Sequence, residues 1–250
     1  MKNKKKNLTF SIITVVLNGE KYLEKTIKSV IGQNQRIQYI IIDGGSTDNS
    51  LNIIKKYSKY IDYWVSENDK GLYHAFNKGL KKCRGDFIGI INSDDVYTKN
   101  ALSIIKKYID LNPIADFIFG SVKKHWGVLH GYRPEKIWYS WGFYSSHSSG
   151  FFVKKSAVKK IGKYNTKYKY HADYDFFYRM IVKKKMKGVA TKKSEVVGIF
   201  RRGGFSSKIP YKKMFVEELK IRYDNGQNIV LVFILGIYKI LNYLKKKIVK

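Results

Sequence analysis

Tyr39-Ile40-Ile41-Ile42-Asp43-Gly44-Gly45-Ser46-Thr47-Asp48 is the stretch that organises the chain. A β-branched apolar run ends on a carboxylate, and two glycines then supply a turn. Ser, Thr and Asp offer an N-cap to a helix carrying Leu51, Ile54 and Tyr57. On the N-terminal side, Phe10 to Leu17 is nearly all apolar, as in a strand covered on both faces of a parallel sheet. Between the two runs, Leu23, Ile27, Val30 and Ile31 line one face of a helix over Glu20 to Ile31. On the C-terminal side come a strand at Tyr63–Ser66, a helix near Tyr73–Cys83 and a strand at Phe87–Ile91. Strand followed by helix, repeated, predicts a doubly wound α/β fold with a mostly parallel sheet.

Sheets of this kind bind ligands at the carboxyl ends of their strands. The sequence puts Asn18, Asp43, Glu67 and the pair Asp94-Asp95 there. It has no G-x-G-x-x-G after the first strand and no G-x-x-x-x-G-K-[ST], which disfavours dinucleotide and phosphate-loop enzymes. What remains is a nucleotide site that holds phosphates through a metal ion on carboxylates. Asp94 and Asp95 repel each other, and a divalent cation relieves that repulsion while bridging to diphosphate oxygens. Oxygen ligands suit Mg2+ or Mn2+. Read alone, the pair fits an exposed helix-capping turn equally well.

Further along, a helix is expected around Thr98–Leu111 and short strands within the aromatic, glycine-rich segment Asp116–Gly150. Helices near Ala157–Gly162 and Ala172–Lys183, a strand at Gly188–Phe200 and a polar loop Arg201-Arg202-Gly203-Gly204-Phe205-Ser206 follow.

Ser11 to Asn18, Ile41 to Asp48, Asp69-Lys70-Gly71-Leu72-Tyr73-His74-Ala75-Phe76-Asn77-Lys78-Gly79 and Gly85 to Asp95 occur in that order. Together they closely resemble the family 2 glycosyltransferases of the GT-A fold. His147 to Phe152 and His171-Ala172-Asp173-Tyr174-Asp175 resemble that family's acceptor-side motifs, so the likeness covers residues 8–207. It implies transfer of a sugar from a nucleotide-sugar, most readily a UDP-sugar, with a divalent metal and inversion, to a saccharide or lipid-linked acceptor. Asp43 would contact the base, Thr14 would line the same pocket with Asn18 and Asn77, and Asp94 would lie by the ribose or donor sugar. Asp95 would be the metal ligand of the family's D-x-D-like motif. The family usually carries Asp where this chain has His74, and Glu where it has Ala172.

The likeness makes Asp173 the candidate general base that takes the acceptor hydroxyl's proton. Residues two apart on a helix point in different directions, so Asp175 is expected to turn away and pair with Arg179. His147 is a candidate acceptor or phosphate contact, or a structural histidine among serines. A glycoside hydrolase also uses two carboxylates but needs no nucleotide pocket.

The formal net charge is +30. Residues 1–150 hold 23 basic and 13 acidic side chains, and residues 151–250 hold 26 and 6. Only seven of the 49 basic residues are Arg, which weakens the competing reading of a nucleic-acid-binding protein. Another alternative is an inactive nucleotide-sugar-binding module. The lone Cys83 forms no internal disulfide, which fits a reducing compartment. The basic start Met1–Asn7 followed by Leu8–Leu17 has the outline of a signal peptide, but Ser11 and Thr14 interrupt it and a first strand reads as well. Ile229 to Tyr238 is apolar or glycine, then Lys239 intervenes. That length falls short of a bilayer span and fits an interfacial helix with its lysines at the headgroups, or one packed on the enzyme or a second subunit. The expected organisation is a catalytic domain over 1–207, divided near residue 115, and a basic helical segment over 208–250, membrane-associating at the cytoplasmic face of the cell membrane.

Overall fold

The computed structural model describes residues 8–139, 147–204 and 209–248, with side chains in the last helix described through Lys245. The basic start at Met1–Asn7, the expected boundary at residue 207 and Phe205-Ser206 of the polar loop lie outside the described residues. The alternating part runs β1 (Thr9–Val16), α1 (Glu20–Ile31), β2 (Arg36–Asp43), α2 (Ser50–Lys56), β3 (Tyr63–Ser66), α3 (Leu72–Lys82) and β4 (Phe87–Asn92). Then follow β5 (Val96–Tyr97), α4 (Ala101–Leu111), β6 (Phe117–Phe119), β7 (Ser121–Lys124), β8 (Gly127–Leu129) and α5 (Lys136–Tyr139). The chain continues with β9 (Phe151–Lys154), α6 (Lys155–Ile161), α7 (Ala172–Tyr178), β10 (Gly188–Ala190), β11 (Val196–Ile199), α8 (Tyr211–Asp224) and α9 (Ile229–Ile248).

The main sheet has seven strands in the order β10-β6-β9-β4-β1-β2-β3. β1 pairs in parallel with both β2 and β4, and β2 with β3, whereas β9 runs antiparallel to β4 and β6. One reversed strand therefore makes the sheet mixed, although its β4-β1-β2-β3 half is wholly parallel. Alternate residues along each central strand enter opposite cores. Ile13, Val15, Ile40 and Ile42 pack with α3, α6 and α7, while Ile12, Val16, Tyr39 and Ile41 pack with α1, α2 and α4. Burial on both faces is why these strands read as unbroken apolar runs.

A second sheet, β5-β11-β7-β8, was not legible from the sequence. The single strand expected over Gly188–Phe200 is two strands in different sheets. Thr191 donates to the Glu195 carbonyl while accepting from the Ser121 amide, and a turn from Lys192 to Glu195 carries the chain across. The helix expected to reach Lys183 is regular only to Tyr178 and continues as one wide π turn over Arg179–Lys183.

The C-terminal segment folds as a hairpin of α8 and α9 packed on α7. Glu218, Arg222 and Lys239 are buried together: Arg222 donates to Glu218 Oε1 at 3.0 Å, and the Lys239 ammonium pairs with the same oxygen. Burial pulls the Lys239 ammonium down to about 8, against the opposing pull of Glu218. This corrects the expectation that lysines of the helix sit at headgroups, because Lys239 turns inward. Among the described residues no helix is both long and apolar enough to cross a membrane.

Candidate active site

In the strand order β3-β2-β1-β4, the sheet changes direction of growth at β1, and ligands bind at the carboxyl ends beside such a point. The loops leaving β1 and β2 are laced together there. Asn18, with φ at 51°, accepts the Thr47 amide on Oδ1 at 2.9 Å, and its own amide donates to Ser46 Oγ at 2.8 Å. The starts of α1 and α2 cap one another: Asp48 accepts the Glu20 amide and Glu20 accepts the Asn49 amide, at 2.9 and 2.8 Å. Of the two turn glycines, only Gly45 is forced, with φ at 84° and Asn68 Oδ1 2.4 Å from where a Cβ would stand.

Asp43 is wholly buried at the end of β2. Its carboxylate accepts from the Ser46 amide and hydroxyl at 3.0 and 2.5 Å and from the Ser66 hydroxyl at 2.6 Å. Close by, Asp69 pairs with Lys78 at 2.5 Å and with His74 Nδ1 at 3.0 Å, while its Oδ2 is buried without a hydrogen-bond partner. His74 thus stands beside a carboxylate at the place where the family pattern carries one of its own.

Two expected pocket residues are turned away from the open edge. Thr14 is buried in mid-strand with its hydroxyl 3.0 Å from the Tyr39 phenol, a core contact. Asn77 uses both ends of its amide on the Tyr164 backbone, donating to the carbonyl and accepting the amide at 2.9 Å each. It ties α3 to the loop before α7, and a helix position alone carries no sign of that strut.

At the end of β4 the two carboxylates differ. Asp95 is fully buried; its Oδ1 accepts the Arg201 amide at 3.1 Å, and its Oδ2 accepts no hydrogen bond but faces His147 Nδ1 at 3.3 Å. The Asp94 side chain is 22% exposed and pairs with the Arg201 guanidinium at 3.2 Å. Burial, then the charge of Asp95, push the Asp94 carboxyl above its ordinary range, against the pull of Arg201. Arg201 also lies 3.8 Å over the Tyr22 ring, and His147 packs edge-on against Phe200. A cleft of about 370 Å³ opens here, lined by Tyr22, Lys25, Asp94, Lys124, Arg201 and Arg202. Burial draws the Lys124 ammonium down from its ordinary value. A larger hollow of about 530 Å³, lined by Asn112, Tyr132, Ile181 and Met186, contains none of these carboxylates.

No three His, Cys, Asp or Glu side chains converge as a metal cage among the described residues. The donor set instead fits a divalent ion that takes its other ligands from phosphates: an orphaned Asp95 oxygen, the imidazole facing it and Asp94 alongside. Arg201, 106 residues from Asp95, was missed as a site residue because nothing local to it signals the contact.

At the head of α7, Asp173 Oδ1 accepts the Tyr174 amide at 2.9 Å and lies 3.1 Å from the Tyr73 hydroxyl on α3. Asp175 turns away as expected, meeting Arg179 at 2.9 Å and also the Asn225 amide at 3.0 Å. Ala172 is buried in the core, so no carboxylate stands there. Glu217 of α8 comes in instead and accepts the amides of Lys169, Tyr170 and His171 at 2.7 Å each.

A family model described as Glycosyl transferase family 2 matches residues 11–189. An uncharacterized glycosyltransferase of Mycobacterium tuberculosis is 28% identical over 179 residues, 68% of each chain. A PGL/p-HBAD biosynthesis glycosyltransferase of Mycobacterium bovis is 24% identical over 235 residues, 90% of this chain and 89% of that protein. The S. aureus TarS 1-349 structure in complex with UDP-GlcNAc superposes with a TM-score of 0.66 at 17% identity, covering 87% of this chain and 66% of that one. A longer TarS chain is matched over only 39% of its length. The mannosyltransferase PcManGT of Pyrobaculum calidifontis, in complex with GDP-Man and Mn2+, gives a TM-score of 0.68 at 13% identity, covering 94% and 70%.

Proposed function

The chain belongs to glycosyl transferase family 2, and from that premise we propose that it moves a sugar from a nucleotide-sugar to a saccharide acceptor, with inversion, in the assembly of a cell-surface polysaccharide. One observation carries the reading: the Asp94-Asp95 pair stands at the carboxyl end of β4 beside the switch point, with one oxygen of Asp95 left without a hydrogen bond. Structural neighbours bind UDP-GlcNAc and GDP-Man, which supports a nucleoside-diphosphate donor, and a UDP-sugar is our first choice.

In the proposed reaction the acceptor oxygen attacks the anomeric carbon. The bond from that carbon to the diphosphate breaks, and the nucleoside diphosphate leaves with the electron pair. Asp173 takes the acceptor hydroxyl's proton. The Tyr73 hydroxyl and the Tyr174 amide hold that carboxylate in place. Asp43, inside its cage of serine hydroxyls and turn amides, is assigned to the base end of the donor, with Asn18 fixing the loop across from it. Asp94, Asp95 and His147 would hold a divalent ion, Mn2+ or Mg2+, which neutralises charge on the departing diphosphate when bound. Thr14 and Asn77 act as supports of the pocket walls and not as contacts. The acceptor is assigned as lipid-linked, at the cytoplasmic face of the membrane.

The test is thermal stabilisation and hydrolysis across a panel of UDP- and GDP-sugars with and without Mn2+. Stabilisation by at least one nucleotide-sugar, stronger with the metal, is the expected outcome. Stabilisation by oligonucleotides and by none of the nucleotide-sugars overturns the reading.

A further inference from the structure

Helix α9 buries one side and leaves the other bare. Val232, Leu235 and Lys239 face α8, where Tyr211 and Tyr243 stack with ring centroids 4.1 Å apart. At about 100° per residue, Ile229, Phe233, Ile237, Ile240, Leu241 and Leu244 fall on the opposite side, each 45% to 68% exposed. The one charged side chain between residues 229 and 244 is Lys239, and it points inward to Glu218. An uncharged apolar face on a helix of 20 residues, about 30 Å long, is larger than the scattered surface leucines of a free-standing protein.

Charge decides what covers that face. Residues 208–250 hold ten Lys or Arg against three Asp or Glu. A symmetric dimer through α9 sets that excess against itself, since such an interface presents the same surface from both sides. An anionic lipid surface neutralises it, each Lys near the headgroups adding to the attraction. On α8, Lys212, Val216, Lys220 and Tyr223 form a stripe, all exposed, and Trp138 and Tyr238 are exposed as well. Amphipathic aromatics of this kind favour a headgroup boundary.

We propose that α9 lies in the plane of an anionic bilayer with its apolar face in the acyl boundary, and that the hairpin thereby presents the acceptor edge of the enzyme to the lipid. The mechanical link is on α8. Glu217 holds the backbone just ahead of α7, Asp224 accepts from Tyr168 at 2.6 Å, and Asn225 holds Asp175. A docked α9 therefore fixes the helix that carries Asp173. This deepens the acceptor part of the functional reading and rests on it only there, because docking needs no catalysis.

The experiment is flotation of the full chain with vesicles of phosphatidylcholine alone and of phosphatidylcholine mixed with phosphatidylglycerol, at low and high salt. We expect binding at least about tenfold stronger to the mixed vesicles and weakened by salt. Phe233→Glu with Ile237→Glu should lower it by about tenfold or more, with an unchanged melting temperature and unchanged donor hydrolysis. The proposal is overturned if the wild type stays unbound, if the double variant floats equally well, or if the chain is a dimer that this variant dissociates. A chain that docks but turns over no nucleotide-sugar leaves this proposal standing and sinks the functional reading.

Discussion

At the end of β4, Asp95 is buried and held by Arg201 and His147, from positions 106 and 52 residues further along, while Asp94 reaches the cleft. At the head of α7, Asp175 is buried and held by Arg179, one helical turn away, while Asp173 stays partly open beside Tyr73. Each region has one carboxylate that is buried and held and one that is partly open. They differ in what anchors them. The α7 pair is set mainly within its own helix, with help from Tyr73 and Asn225, whereas the β4 pair is completed only when a distant loop folds over it. The second depends on Arg201, whose contact with Asp94 the proposed donor would have to share or replace.

The sharpest way to break that comparison is Asp173→Asn. Removing the proposed base should lower kcat by roughly 10²- to 10⁴-fold while leaving donor affinity unchanged, as read by radiolabelled transfer alongside calorimetry. Retained turnover at near wild-type rate would move the chemistry away from α7. Next in size is Asp175→Ala, which takes the carboxylate from Arg179 and Asn225 and leaves the guanidinium only the Ile161 and Lys163 carbonyls. With Arg179 partly solvated, the cost should be about 3 kcal/mol, measured by urea unfolding. A loss of a few tenths would show that the buried partner does not anchor its neighbour.

Asp94→Asn should have the smallest effect on stability, and the opposite sign. The Asp94 carboxyl is held above its ordinary range by burial and by Asp95. The folded state therefore binds this proton more tightly than the unfolded state, and stability falls as pH rises from the ordinary carboxylate value through the raised one. The Asn variant should melt slightly higher than wild type at neutral pH, by at most about 1 kcal/mol, and the gap should close at acidic pH. Sugar transfer should be lost at every pH. A variant less stable at neutral pH would mean that the Arg201 pairing outweighs burial.

Much of the fold was legible because it is written in local periodicity. Unbroken apolar strands such as Ile40–Ile42 and the helical face of Leu23, Ile27 and Val30 need only their own neighbours to be recognised. The reversal of β9, the second sheet and the break at Thr191 were not legible, since each depends on which distant strand a short segment meets. The site divides the same way. Asp43, Asp94 and Asp95 were legible as carboxylates at strand ends. Thr14 and Asn77 sit in the same motifs, yet their hydrogen bonds go to Tyr39 and Tyr164, which no spacing rule connects to them.

By itself the sequence determined the alternating α/β order, the carboxylates at the strand ends, and that Asp173 and Asp175 point in different directions, because period and strand polarity are short-range properties; the preference for Asp173 came from the family likeness. Only the tertiary structure decided which member of the β4 pair is exposed and that Arg201 and His147 close over it. It also supplied Glu217 at the turn before Ala172 and turned Lys239 inward, baring an uncharged face on α9. Those outcomes turn on burial and on partners far along the chain, and desolvation acts on a side chain only once the fold has chosen its surroundings.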